Sequence, residues 1–343
     1  MSLQGWVSRL AGRRVLIVGD VLLDEYVSGR PTRMSREAPV PVLEFESRRH
    51  IPGGAANPAV TIARLGSQAL LAGVTGDDDA GQQLRESLQA QDIDCAALIC
   101  EAGRATTLKL RIMAQMGLRY PQQLARIDTL SRAALSQESA DRLLARVKAL
   151  ADAVDALLVS DYCIGLLTPD LVEELRRAGV TLLAVDAQGE LDKYHDFSLV
   201  KCNAEEAAGW LGRSLATDAD FAAAARDLGK RLRVTGAMVI TRGPQGATLA
   251  TATGEVGHCP APVVSDVYDV TGAGDTAIAV MTLARAAGAD WTSAVKLANV
   301  ASGLVVQRVG NYAPDPEELR KSLGAAAGAD RPPRHAAAPG EAK

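Results

Sequence analysis

Six short apolar runs punctuate the chain: VLIVGD at 15–20, LLAGVTGD at 70–77, ALLVSD at 156–161, TLLAVD at 181–186, SLVKCN at 198–203 and AMVITRG at 237–243. None alternates strictly with polar residues, so each predicts a strand buried on both faces, as in a parallel sheet. Helix-like stretches at 78–91, 134–152, 170–178, 204–211 and 218–233 lie between them and supply the crossovers that parallel strands require. The pattern predicts an α/β, doubly wound fold. Several runs end in Asp or another polar residue, which suits the carboxyl edge of an open sheet, where ligands bind.

Two stretches break the rhythm. Residues 27–52 alternate apolar and polar around APVPVLEFESRRH, with Pro39 and Pro41, and predict an edge strand or ribbon. Residues 100–128 contain TTLKLRIMAQ and are expected to pair with the first stretch in a small β lid on a single domain of residues 1–323. The second stretch carries Lys109, Arg111, Arg119 and Arg126, a basic cluster that reads either as a ligand grip or as a solvated face. From Gly324 the sequence turns Ala, Gly and Pro rich without periodicity, and the tail 324–343 is expected to be disordered.

Composition narrows the function. Hydrophobic residues make up 48% of the chain but aromatics only 3%, so Ala, Val and Leu must fill the core, as in helices packed on a parallel sheet. A net charge of −4 gives no overall field for nucleic acid, and anionic ligands must be held by local groups. The five cysteines are scattered without a CxxC pair, which argues against structural zinc. With neither a secretory signal nor a run approaching a membrane span, a cytoplasmic protein with no membrane partner is expected.

The chemistry concentrates in DVTGAGDT at 269–276. Gly272, Ala273 and Gly274 stand immediately before a strongly helical stretch, so their amides should form a helix N-terminus with unpaired N–H groups and partial positive charge, a cradle for a transferring phosphoryl group. Asp275 repels phosphate but is able to take the proton of an attacking hydroxyl, which makes it the candidate general base. The plain alternative is a turn followed by a dipole-favoured first-turn aspartate. The sequence lacks the GxxxxGK[ST] of a P-loop, and GDVLLD stands after the first strand where a dinucleotide site would carry GxGxxG, which argues against a nicotinamide-dependent dehydrogenase.

Three further groups are candidates. GGAANPAVTIARLG opens a second helix behind Gly53 and Gly54. Its Asn57, together with Asp24 at the end of the first strand region, would suit sugar hydroxyls. NAEE at 203–206 places Asn203 and Glu206 on one turn, as a capping box or as water-mediated ligands of Mg²⁺. TRGPQG at 241–246, with Thr241, Gly243 and Gly246, reads as a nucleotide-phosphate turn or a hairpin, and Asn299 completes the expected ATP side.

Taken together these motifs resemble the ribokinase/PfkB family of carbohydrate kinases, whose two signatures look like GGAANPAVTIARLG and DVTGAGDTAIAV. The resemblance implies that Asp275 is the catalytic base and Gly272, Ala273 and Gly274 the anion hole. It gives Asn203 and Glu206 to Mg²⁺ and ATP, and Asp24, Gly53, Gly54 and Asn57 to the sugar, while Asp269 and Thr271 match positions that flank a monovalent cation such as K⁺ in some members. Within the family, GDVLLDEYVSGRPTRMSREAPVPV, TTLKLRIMAQ, QQLARID and SDYCIGLL are similar to the D-glycero-β-D-manno-heptose 7-phosphate kinases. That likeness implies transfer from ATP to the anomeric hydroxyl of a phosphorylated heptose, with Lys109 and Arg111 gripping substrate. Two lysines usual in those enzymes are replaced by Ile164 and Gln188, which leaves room for another phosphosugar or for a non-catalytic sugar or nucleotide sensor. The resemblance includes no nucleotidyltransferase half, so adenylylation would fall to another enzyme. A homodimer through the lid is expected.

Overall fold

The computed structural model describes residues 1–115, 121–264 and 266–329. Thirteen strands follow in chain order: β1 Arg14–Gly19, β2 Val21–Met34, β3 Pro41–Gly54, β4 Gln68–Thr75, β5 Leu98–Cys100, β6 Leu108–Ala114, β7 Gln122–Thr129, β8 Ala156–Asp161, β9 Leu183–Ala187, β10 Leu199–Asn203, β11 Ala237–Thr241, β12 Ala247–Thr251 and β13 Val256–Cys259. The helices are α1 Leu3–Val7, α2 Ala56–Arg64, α3 Asp79–Gln89, α4 Gln137–Ala151, α5 Pro169–Arg176, α6 Ala204–Leu211, α7 Asp218–Arg231, α8 Ala273–Ala286, α9 Trp291–Val305 and α10 Pro316–Ala329.

Nine strands form the main sheet in the order β13-β12-β11-β10-β9-β8-β1-β4-β5. Strands β11 through β5 along that order are parallel, and β12 and β13 extend the sheet antiparallel. The apolar runs became these strands because both faces are covered, and their alternate residues feed two separate cores. Val15 and Ile17 pack with α2, α8 and α9 on one face, whereas Leu16 and Val18 pack with α4, α5 and α7 on the other. Each such side chain, fully buried, contributes roughly 1.5–3 kcal/mol. From β1 the chain runs outward to β4 and β5, then crosses back to β8 and on to β11. The crevice at this reversal, above the ends of β1 and β8, is where an open α/β sheet binds ligands.

The second sheet takes four strands from the stretches that broke the rhythm, in the order β3-β2-β6-β7. Its bounds differ from expectation. Strand β2 starts at Val21, directly after β1, and β3 runs to Gly54, so the ribbon is longer than 27–52, while Leu98–Cys100 belongs to the main sheet. Asp24 therefore sits on lid strand β2 and not at the end of the core strand. Pro41 opens edge strand β3, where a missing N–H costs no ladder bond. Helix α10 continues through Ala329, so the expected start of disorder at Gly324 falls inside a helix. Residues 330–343 and Arg119 lie outside the described residues. Among the described residues no helix is long and apolar enough to cross a membrane.

Candidate functional site

The chain reaches α8 through Gly272, which caps the helix in the left-handed region at φ 80°. A side chain there would be strained, and its Cβ would lie 2.6 Å from Asn57 Nδ2. Asp275 follows in the first turn and is only 9% exposed. Its Oδ2 accepts a hydrogen bond from Asn57 Nδ2 at 2.8 Å, and the Tyr162 hydroxyl donates to Oδ1 at 2.8 Å and Oδ2 at 3.0 Å. Burial, reinforced by the Asp186 carboxylate, pushes the Asp275 carboxyl up to about 6, against the pull of Tyr162, Asn57 and Lys201. It is thus ionised near neutral pH yet basic enough to accept a proton, the range suited to a general base.

Two charged residues beneath the helix end were not foreseen. Lys201 Nζ pairs with Asp186 Oδ2 at 2.7 Å, and a Cβ on Gly274 would stand 2.9 Å from that ammonium. Burial pulls Lys201 down, but Asp186, with Glu206 and Asp275, together outweighs it and holds the lysine's pKa up. The ammonium thus adds full positive charge to the amide end of α8, where an anion would sit. The signal was a lysine within the apolar run SLVKCN, a position where an unpaired charge does not survive.

The residues expected to hold sugar converge on the lid side of the crevice. Asp24 accepts from Arg111 Nη1 through Oδ1 and from Asn311 Nδ2 through Oδ2 at 2.8 Å, so Asp24 and Arg111 neutralise each other. Lys109 Nζ lies 5.1 Å from the centroid of the Tyr162 ring, and burial pulls its pKa down despite Asp24 and Asp128. Gly53 and Gly54 end β3, and the space their side chains would need is filled by Asp24 and Leu22 and by the Asp20 carbonyl. The close approach of β2 at these two positions leaves no room for a side chain. Asn311 escaped the sequence reading because VGNYAP has no periodicity. Its Oδ1 is buried without a partner among the described residues, beside Gly272. An orphaned acceptor between Asp24 and the anion cradle suits a ligand hydroxyl.

On the far side of α8 the expected ATP residues are more self-contained. Asn203 and Glu206 form a reciprocal capping box, Glu206 N to Asn203 Oδ1 at 2.9 Å and Asn203 N to Glu206 Oε2 at 2.7 Å. Glu206 Oε1 and Asn203 Nδ2 take no part in it, and burial pushes the Glu206 carboxyl up. One remaining carboxylate oxygen fits Mg²⁺ only with waters and substrate phosphates completing the shell. Thr241 Oγ1 bonds the Cys202 carbonyl at 3.4 Å, while Gly243 and Gly246 both adopt positive φ around the turn after β11. Asn299 Nδ2 donates to the carbonyls of Cys259 at 2.7 Å and Pro260 at 3.2 Å. Asp269 ties its own loop, accepting from Thr271 N and Gly310 N, each at 2.9 Å.

Ile164 is buried beside Asp20, whose Oδ2 accepts from Tyr162 N at 2.9 Å and Ile164 N at 3.3 Å. Burial and Asp161 push the Asp20 carboxyl up to about 6. Gln188 N bonds the Asp161 carbonyl at 3.0 Å.

A family model described as pfkB family carbohydrate kinase matches residues 13–318. The protein is 37% identical over 329 residues to the bifunctional protein HldE of Hyphomonas neptunium, covering 94% of this chain and 66% of that protein. With HldE of Pseudomonas paraeruginosa it shares 40% identity over 319 residues, 92% of this chain and 65% of the relative. The chain thus spans just under two thirds of the length of these relatives. Among solved structures, phosphofructokinase-2 from Escherichia coli in complex with substrates and products superposes with a TM-score of 0.76 at 20% identity, over 91% of this chain and 99% of that one. Arabidopsis thaliana ribokinase complexed with ribose and ATP gives 0.70 at 19%, over 91% and 98%. At such identities these two likenesses establish the ribokinase-like fold.

Proposed function

The chain belongs to the pfkB family of carbohydrate kinases and is a sugar kinase, and from that premise we propose that it transfers the γ-phosphoryl group of ATP to the anomeric O1 of D-glycero-β-D-manno-heptose 7-phosphate. The observation that carries the catalytic part is Asp275, buried at the start of α8 with Asn57 and Tyr162 on its carboxylate and Lys201 beneath the adjoining amides. Asp275 takes the proton of the acceptor hydroxyl as that oxygen attacks. The amides of Gly272, Ala273 and Gly274, with Lys201, stabilise charge on the transferring phosphoryl group. Glu206 and Asn203 would hold Mg²⁺ through water, the ion supplying neutralisation of the phosphate oxygens. Thr241, Gly243, Gly246 and Asn299 would line the nucleotide side.

The acceptor rests on the stretches similar to heptose 7-phosphate kinases, and the likeness to HldE proteins supports it. Asp24 and Asn311 would bind sugar hydroxyls, and Lys109 and Arg111 the phosphorylated end. The protein would work in the cytoplasm, where ATP is supplied. A panel of sugars and sugar phosphates, followed by ³¹P NMR with Mg-ATP, tests the acceptor. The heptose 7-phosphate should be turned over fastest and phosphorylated at O1. Faster turnover of another sugar would replace the acceptor, and ligand-induced stabilisation without turnover of any would favour a sensor.

A further inference from the structure

Tyr162 was not among the candidates, yet it touches the base more fully than any other side chain described. Its hydroxyl bridges both oxygens of Asp275. The loop that presents it is fixed from behind. Asp20 Oδ2 accepts from the backbone N–H of Tyr162 and of Ile164, and Asp161 Oδ1 accepts from Cys163 N at 2.8 Å. Cys163 itself is held at φ 54°, a conformation that costs energy in a non-glycine residue and persists only where its surroundings impose it. From above, Lys109 of lid strand β6 approaches the ring face within cation–π range.

We propose that Tyr162 is a positioning residue for phosphoryl transfer, its hydroxyl fixing the Asp275 carboxylate toward the acceptor oxygen while Lys109 of the lid steadies its ring. Asn57 holds Oδ2 from α2, and Tyr162 spans both oxygens from the end of β8. A carboxylate so held needs no reorientation when the acceptor arrives, which is the advantage of a preorganised site. The hydroxyl is a permanent donor, because burial and the Asp275 carboxylate push the tyrosine's own ionisation well above its ordinary range.

The inference has a signature in the pH profile. The charged groups around Asp275 are Asp186 from β9, which disfavours its ionised form, and Lys201 from β10, which favours it, while Asp24 and Lys109 face Tyr162 from the lid. Helix α2 contributes the neutral donor Asn57, and α9 meets the start of α8 through Ser302, whose hydroxyl bonds the Ala273 carbonyl at 2.9 Å. Removing one hydroxyl from this set takes away stabilisation of the carboxylate and changes no charge. Asp275 must then titrate higher.

The test is Tyr162→Phe, which keeps the ring. Carboxylate-labelled enzyme is titrated by ¹³C NMR, the Asp275 signal being identified by its loss in Asp275→Asn. In parallel, kcat/KM against pH is measured with Mg-ATP and D-glycero-β-D-manno-heptose 7-phosphate. The midpoint for Asp275 should rise by roughly one pH unit, the acid limb of kcat/KM should move with it, and kcat should fall about tenfold with KM for ATP unchanged. A variant less stable than the wild type but with the same NMR midpoint would overturn the proposal, since Tyr162 would then be packing only. The inference rests on Asp275 as the base, but its NMR arm does not depend on the acceptor. If the wild type leaves the heptose phosphate unphosphorylated, the acceptor reading fails while the titration still decides the role of Tyr162.

Discussion

Asn57 Nδ2 donates to Asp275 Oδ2 at 2.8 Å across 218 residues of sequence, so the two glycine-rich motifs meet at one hydrogen bond. The same amide nitrogen lies where a side chain on Gly272 would have to go, so it bears on both the orientation of the Asp275 carboxylate and the entrance to α8. Asn57→Ala should lower kcat by roughly 10- to 100-fold, as expected for a base left free to rotate, with a smaller change in KM for ATP. Steady-state kinetics with varied ATP check this. A larger effect on ATP binding than on kcat would assign Asn57 to the nucleotide.

Stability should fall as pH rises through the titration of Asp275. Its carboxyl, ordinarily near 3.8, is pushed up to about 6 in the folded protein, so between those values the native state holds a proton that the unfolded chain has released. The native state is then favoured at low pH, and that advantage is lost as the pH passes about 6. Asp275→Asn removes the linkage. Its melting temperature relative to wild type should climb between pH 4 and pH 7 and level off above, the gap corresponding to about 3 kcal/mol at most. Asp20, likewise raised to about 6 by burial and Asp161, adds a slope of the same sign that Asp275→Asn leaves in place.

The buried pair Lys201 and Asp186 should behave asymmetrically in a mutant cycle. Lys201→Met strands the Asp186 carboxylate beside Asp275 and should cost roughly 3–5 kcal/mol in urea unfolding. The double variant Lys201→Met with Asp186→Asn should recover much of that stability, because no charge is left unpaired. Activity should not return with it, since the positive charge beside the α8 amides is gone. Recovery of both would make the pair purely structural.

The lid exposes apolar side chains along its edges: Phe45 is 66% exposed, Ile127 55% and Leu124 42%, on edge strands β3 and β7. Open strand edges with apolar flanks invite a second copy. A homodimer through this sheet should be lost in Phe45→Glu with Ile127→Glu, seen as halved mass in sedimentation equilibrium. Unchanged mass would place any self-association elsewhere.

The sheet was legible because both faces are buried. Continuous apolar runs such as ALLVSD and SLVKCN have one sensible place in an α/β fold, the parallel strands of the main sheet. The helix start that carries Asp275 was legible because glycine and aspartate there follow a local rule. Lys201, Tyr162 and Asn311 were not, because their roles depend on what lies opposite. Lys201 is held by Asp186 on the neighbouring strand, Tyr162 sits on a loop pinned by Asp20, and Asn311 bonds Asp24 on the lid. At Asn203 and Glu206 the structure shows the capping box, one of the two arrangements expected there, and it leaves Glu206 Oε1 outside the box.

Single-turnover phosphoryl transfer by Asp275→Asn tests the central claim most directly. With Mg-ATP and the best acceptor from the panel at pH 8, the variant should bind ATP as the wild type does, while its transfer rate falls by roughly 10²- to 10⁴-fold, the contribution of a general base. Transfer within a few-fold of the wild type, at unchanged ATP affinity, would contradict the assignment of Asp275 as the residue that takes the proton.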